Sequence, residues 1–339
     1  MNKTLIDACF GKKTPYTPVW YMRQAGRYLP EYRRLKGNKN ILDVVKNPKL
    51  AAKITLAPVE VLGVDGAVLY ADIMIPLLGI GVDLEIIENI GPVIKSPLKK
   101  LSDIKKLRDL QPKQDIPYLL ETISILKSKL KVPLIGFSAA PFTLASYLIE
   151  GKPSRDFIKT KSFMYTQKEA WGLLMQKLTT LIIDYLQVQK DAGIEVIQLF
   201  DSWVGCLSES DYKEYVLPYT LKIFKSLNDR VVPMIHFGTN TAAFLKLFSS
   251  VECEVVSVDW RMSINRAWEY IGLNKGIQGN LDPATLLADF SLVKKRVDEI
   301  FTLLPKKEGY IFNLGHGMLP DTPVKTVIKL TEYIHQKYG

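Results

Sequence analysis

The chain predicts an α/β fold, a single-domain (β/α)8 barrel of the TIM type over residues 1–339, with its active-site cleft at the C-terminal ends of the strands. Three observations carry that expectation. Short apolar runs alternate with longer amphipathic ones along the sequence, the pattern of parallel strands joined by crossover helices. No Gly/Ser linker, low-complexity tract or shift in composition divides the 339 residues, a length that α/β barrels reach undivided. A polar side chain stands at the C-terminal edge of nearly every strand-like run. A closed barrel gathers such edges at one mouth, whereas an open doubly wound sheet brings only a few of them to its switch point.

Taken in order, the first expected strand is Val19–Met22, followed by Arg23. The second is Gly66–Tyr70, with Asp72 just beyond it. The stretch Gly81–Lys95 then alternates apolar and polar residues around Glu88–Asn89, with Gly91–Pro92 soon after, and reads as a hairpin or β-rich insertion beside the mouth. The third strand, Val132–Phe137, leads to Ser138, and the fourth, Glu195–Phe200, leads to Asp201 and Ser202. His236 lies near the end of the fifth, Val231–Phe237. The sixth, Val255–Asp259, leads to Arg261, the seventh, Gly276–Gly279, to Asn280, and the eighth, Tyr310–Asn313, to His316. Helix-like segments between them include Thr166–Ala192, Glu209–Asn228, Asn240–Ser249, Pro283–Thr302 and Thr322–Tyr338. Asp282 before Pro283, and Asp321 before Thr322–Pro323, supply a capping acid and an early Pro.

Composition narrows the function. A hydrophobic fraction of 47% is ample for a large core. The net charge of +10 suits a polyanionic partner, but the lysines are scattered and no basic stripe carries interleaved aromatics, so nucleic acid is not expected. Cys9, Cys206 and Cys253 are far apart and odd in number, without metal or disulfide spacing, as in a reduced, cytoplasmic protein. The N-terminus has no apolar signal region, and no run is long enough to span a membrane.

The most informative stretch is Trp20–Tyr21–Met22–Arg23–Gln24–Ala25–Gly26–Arg27–Tyr28–Leu29–Pro30–Glu31. Two guanidiniums sit among aromatic and small residues with one nearby acid, Glu31. Buried unpaired, they would be prohibitive, so the segment either receives an anion or forms one ion pair with Glu31 and leaves one Arg in solvent. Asp72 stands among Tyr70, Ala71, Ile73 and Met74, either as a helix cap or as an acceptor for substrate N–H groups. His316, between Gly315 and Gly317, is either a hydrogen-bonded loop residue or a site residue that lets backbone approach a ligand. Tyr147 alone would read as core.

The 20–33 stretch resembles the N-terminal signature of the uroporphyrinogen decarboxylase family nearly residue for residue, and Gly136–Gly151 looks like its second signature. Tyr70–Ile73, Gln198–Ser202 and Asn313–Gly317 resemble further landmarks, so the likeness runs from about Thr17 to the C-terminus. The resemblance implies decarboxylation of the four acetate side chains of uroporphyrinogen III to give coproporphyrinogen III, without cofactor or metal, in a homodimer. It implies Asp72, Arg23 and Arg27 as catalytic, and Arg23, Gln24, Ala25, Gly26, Arg27, Asp72, Tyr147, Phe200, Ser202 and His316 as substrate-binding residues. Two positions depart from the family: Leu42 stands where Phe is frequent, and Lys36 where Arg is frequent.

Other chemistries find little support. Gly79–Ile80–Gly81 lacks a third glycine and a strand–helix context for a dinucleotide, and there is no phosphate loop or nucleophile elbow. Related barrel methyltransferases bind zinc through a His-x-Cys pair. Here the comparable run is His236–Phe237–Gly238, with Gly where the thiolate would be.

Overall fold

The computed structural model describes residues 2–87 and 90–338. Among the described residues there are nine strands: β1 (Ala67–Val68), β2 (Leu84–Ile87), β3 (Gly91–Ile94), β4 (Leu134–Ala139), β5 (Val196–Asp201), β6 (Met234–Gly238), β7 (Val255–Ser257), β8 (Gly276–Leu281) and β9 (Tyr310–Leu314). Seven of them form one parallel sheet in the order β1-β4-β5-β6-β7-β8-β9, and β2 pairs antiparallel with β3. The expected insertion is therefore a hairpin, although its anticipated turn, Glu88–Asn89, lies outside the described residues.

The first expected strand is reduced to a bridge. Val19 pairs in parallel with Phe312, whose amide donates to Pro18 O at 3.0 Å. On its other side Val19 O accepts from Asp65 N at 2.7 Å, so this segment bonds to β9 and to the residues leading into β1. Two causes keep it from lengthening. Pro18 has no N–H for a ladder, and the Val19 N–H is taken at 2.8 Å by the buried Asp65 carboxylate, which also accepts from the Tyr16 hydroxyl and meets His335 Nε2 at 2.8 Å. β1 is short for a similar reason: the Tyr70 N–H goes to Thr55 Oγ1 rather than to a neighbouring strand.

Several expected helices divide. Glu209–Tyr215 and Leu217–Leu227 are separate because Pro218 cannot donate to a continuous helix. The expected helix Thr166–Ala192 is instead continuous over Lys168–Ala192, with Thr166 closing the preceding helix Ile158–Thr166. Segment 240–249 splits into a 3₁₀ turn, Thr241–Phe244, and the helix Leu245–Phe248. Asp282 does cap, accepting from Ala284 N at 2.9 Å, but it opens a 3₁₀ turn over Pro283–Leu287, and the helix proper is Phe290–Thr302. The last helix is Val324–Lys337, and Asp321 does not cap it.

Strand parity decides what faces inward. Phe200 on β5 and Phe237 on β6 are register partners in edge contact at 5.6 Å, and Phe137 meets Phe200 at 5.6 Å. Gln198, Ser257 and Gln278 lie on the same face and bond to one another, with Trp20 donating to Gln278 Oε1 at 2.8 Å. The neighbouring positions point the other way. His236 stacks on Phe248 at 3.8 Å, and Asp201 accepts from the Thr143 hydroxyl at 3.1 Å. Both stand at strand ends where the sequence led us to expect mouth-facing groups, but a pleat sends alternate residues to opposite faces, and these two face the helices.

Candidate active site

Arg23 owes its position to β9 and the loop that follows it. Met22 N donates to Asn313 Oδ1 at 3.1 Å, and Met22 O accepts from Met318 N at 2.8 Å. The chain then turns at Arg23, which holds φ +61°, a left-handed conformation that a branched or bulky residue avoids and that marks a site held by its surroundings. Its side chain lies over Gly317, where a Cβ would come within 2.7 Å of Arg23 Cγ and 2.9 Å of Nε. The guanidinium is exposed and has no ion pair among the described residues, so the alternative pairing with Glu31 is not made by Arg23.

The rest of the turn is tied to itself. Gln24 is 1% exposed, accepting from Tyr21 N at 3.1 Å and donating to Gly66 O at 2.9 Å. Its amide thus fastens the turn to β1. Ala25 and Gly26 are half-buried, Arg27 is exposed, Tyr28 OH donates to Gln24 O at 2.9 Å, and Arg33 donates to the Arg27 carbonyl at 2.8 Å.

Asp72 stands half-buried beyond β1 and does act as a cap, its Oδ1 accepting from Met74 N at 2.9 Å. Burial raises its carboxyl above the ordinary carboxylate range, while the Met74 amide and the nearby Arg23 charge pull it down. Arg23 is close enough to act on it, yet no ion pair joins them among the described residues. Tyr147 belongs to the same cluster: burial, then the Asp72 charge, raise its phenol, and Arg23 opposes them. Trp203, just past the end of β5, packs at a tilt against Tyr147 at 4.0 Å and against Phe157 at 5.0 Å between ring centres. That contact places the helix Pro141–Glu150 over the strand ends. The β2–β3 hairpin joins it there, with Ile94 N donating to Gly151 O at 2.7 Å.

His316 completes the cluster. Burial, reinforced by Arg23 and Arg261 and opposed by Asp259, lowers its imidazole to about 4. Nδ1 accepts from Gly317 N at 2.5 Å, which leaves Nε2 as the protonated nitrogen of the neutral ring. Phe237 meets this ring edge-on at 6.0 Å, and through Phe237 the imidazole joins the aromatic floor of Phe200 and Phe137. Ser202 is half-buried at the β5 end, and its carbonyl accepts from the Thr239 hydroxyl at 2.6 Å.

The structure therefore brings Arg23, Asp72, Tyr147 and His316 together, with Phe200 and Ser202 on the adjoining strand end. It spends the Gln24 side chain on the scaffold. Sequence reasoning passed over Trp203, Phe157 and Phe237, whose aromatic character looks like ordinary core until the fold aims them. Among the described residues no three His, Cys, Asp or Glu side chains assemble as metal ligands.

Comparison with known proteins gives a consistent result. The family model described as "Uroporphyrinogen decarboxylase (URO-D)" matches residues 1–337. A uroporphyrinogen decarboxylase of Carboxydothermus hydrogenoformans is 46% identical over 338 residues, covering 99% of this chain and 97% of the relative. One from Bacillus subtilis is 48% identical over 336 residues, covering 99% and 95%. Among solved structures, a methyltransferase from Methanosarcina mazei superposes with a TM-score of 0.81 at 21% identity, covering 99% of this chain and 98% of that one, a likeness of fold alone. With similarity at this level along its full length, the chain belongs to the uroporphyrinogen decarboxylase family.

Proposed function

We propose that this chain is a carboxy-lyase that converts the four acetate side chains of uroporphyrinogen III to methyl groups, giving coproporphyrinogen III and CO2 in porphyrin and heme biosynthesis. The observation that carries this reading is a half-buried Asp72 carboxylate within electrostatic reach of an Arg23 guanidinium that has no ion pair among the described residues, in a chain matched by the family over residues 1–337.

Loss of CO2 leaves an electron pair that must be delocalised. In this reading the pyrrole is its own sink. A proton added to a ring carbon makes the pyrrole cationic, CO2 leaves, and its electron pair neutralises the ring as an exocyclic methylene. Protonation of the methylene and loss of the ring proton then give the methyl group, with one proton consumed per CO2 released. Asp72 faces the pyrrole N–H groups and stabilises the cation by a field already in place, the kind of term that dominates many enzymatic rate enhancements. Arg23 and Arg27 bind substrate carboxylates by charge-assisted hydrogen bonds. Tyr147, Ser202 and the Nε2–H of His316 hold others, and Phe200 supplies an apolar floor. Gln24, Ala25 and Gly26 shape the turn that presents the two guanidiniums. A guanidinium is a poor acid, so Arg23 serves first to position substrate.

Closure into one (β/α)8 barrel domain, with the cleft at its mouth, belongs to the same reading. Supporting it are the bonds of Val19 both to Phe312 and to Asp65. A homodimeric state and a cytoplasmic location are further parts of this proposal. Among the described residues no helix is long and apolar enough to cross a membrane. Chelator-treated protein incubated anaerobically with uroporphyrinogen III tests the activity. Stepwise formation of coproporphyrinogen III is expected, and folded protein that yields none refutes it.

A further inference from the structure

Arg261 lies four residues beyond β7, in a loop fixed at several points. Its own amide donates to Asp259 Oδ1 at 3.0 Å and its guanidinium Nη1 to Oδ2 at 2.6 Å. Asp259 Oδ2 also accepts from Asn240 N at 2.7 Å, while Asn280 Nδ2 donates to Asp259 O at 2.9 Å and to Met262 O at 2.8 Å. The guanidinium carbon lies 4.4 Å from the centre of the Trp260 ring, so the head group is oriented by a carboxylate and an aromatic face together. Yet the Arg261 side chain stays 43% exposed where that of Asp259 is 6% exposed. A guanidinium has five donors, and one of them is spent on Asp259.

The loop borders the candidate site. A Cβ at Gly315 would lie 2.7 Å from Trp260 N and 3.0 Å from Asp259 Cα, so Asp259 and Trp260, the two residues before Arg261, pack directly on the residue before His316. Arg23 packs on Gly317, the residue after it. The loop that carries Arg261 and the side chain of Arg23 thus pack on the two residues that flank His316, and both guanidiniums are near enough to lower its basicity. Because Asp259 cancels much of its monopole, Arg261 suits recognition by directed hydrogen bonds more than long-range attraction of charge.

We propose that Arg261 is a third carboxylate-binding guanidinium of the active site, taking a peripheral carboxylate of the substrate on the side of His316 away from Arg23. This rests on the decarboxylase reading above. A macrocycle with carboxylates all around its rim needs donors on more than one side. Propionates survive every round of reaction, so a contact with one of them serves each of the four decarboxylations alike. Such uniform binding lowers KM and leaves the chemical step nearly untouched.

The test compares Arg261→Ala and Arg261→Lys with wild type and with Lys222→Ala, a control on the exposed face of Leu217–Leu227. Arg261→Ala is expected to raise KM for uroporphyrinogen about tenfold with kcat within about threefold, and to release more partly decarboxylated intermediate. Arg261→Lys, which keeps the stem and a charge beside Asp259, should raise KM about threefold, since it loses the fork. It carries the test should the Ala variant not fold. A folded variant of either kind with wild-type KM, or one losing kcat alone, overturns the proposal. Binding of the oxidised octacarboxylic porphyrin, followed by fluorescence, gives a readout independent of turnover. Weaker binding by Arg261→Ala supports the proposal and equal binding overturns it, even if the wild-type protein proves to have no decarboxylase activity.

Discussion

Substituting Asp72 by Asn separates its two roles. The amide keeps an oxygen where Oδ1 now accepts from Met74 N at 2.9 Å, so the cap survives and only the charge is lost. Opposite unit charges about 5 Å apart at an effective dielectric near 20 attract by about 3 kcal/mol. If that attraction exists only once the pyrrole is protonated, kcat should fall by between two and three powers of ten, at about 1.4 kcal/mol per decade. Stability should move the other way. Burial raises the Asp72 carboxyl, so the native state holds its proton more tightly than the unfolded chain does. Any stability from this group is present at acid pH and lost as pH rises through the folded-state value, and at neutral pH the charge is a cost. Asp72→Asn should therefore melt at the wild-type temperature or slightly above while turning over at least a hundredfold more slowly. Steady-state kinetics on reduced substrate, paired with thermal melts, make the measurement, and Asp72→Glu should retain more activity than Asn. If Asp72→Asn loses no more activity than Lys222→Ala, Asp72 is a cap and nothing else.

Gly317→Ala should displace the Arg23 side chain, because the new methyl would overlap Arg23 Cγ and Nε, whereas Gly315→Ala would strike the backbone of Trp260 and Asp259. The first is expected to lower kcat/KM at least tenfold with little change in Tm, and the second to lower Tm itself; equal melting losses would contradict this. His316, lowered to about 4, should stay neutral at physiological pH and show an NMR titration near that value in the free enzyme. Its contribution to stability is intact above the ordinary pKa of about 6.5 and fades as pH falls toward 4, so His316→Gln should flatten that part of the acid limb. His236→Leu is expected to leave kcat/KM within about twofold at a permissive temperature, as its ring packs between Phe224 and Phe248 on the helix side. A loss as large as that for Asp72→Asn would place His236 in the chemistry after all.

The sequence by itself determined the class of fold and the family. Alternating apolar runs located seven parallel strands to within a few residues, because a buried strand can be made from little else. Two long signature-like stretches located Arg23 and Tyr147, and the Tyr70–Ile73 landmark located Asp72, because their spacing along the chain is a property of sequence. What only the tertiary structure decided is direction and pairing. Val19–Met22 has a strand's composition, but the buried Asp65 carboxylate takes the donor that a ladder would use. His236 and Asp201 stand at strand ends as expected, and a single step of the pleat turns them from the mouth to the helices. Gln24 reads as polar and available until its amide is seen accepting from Tyr21 and reaching Gly66, 42 residues further along the chain. Arg261 is one basic residue among 45, and only the packing of its loop on Gly315 brings it beside His316. Local pattern records how much of a residue is buried on average, while the partner of a given donor is settled by chain segments far away in sequence, and it is those partners that make the site.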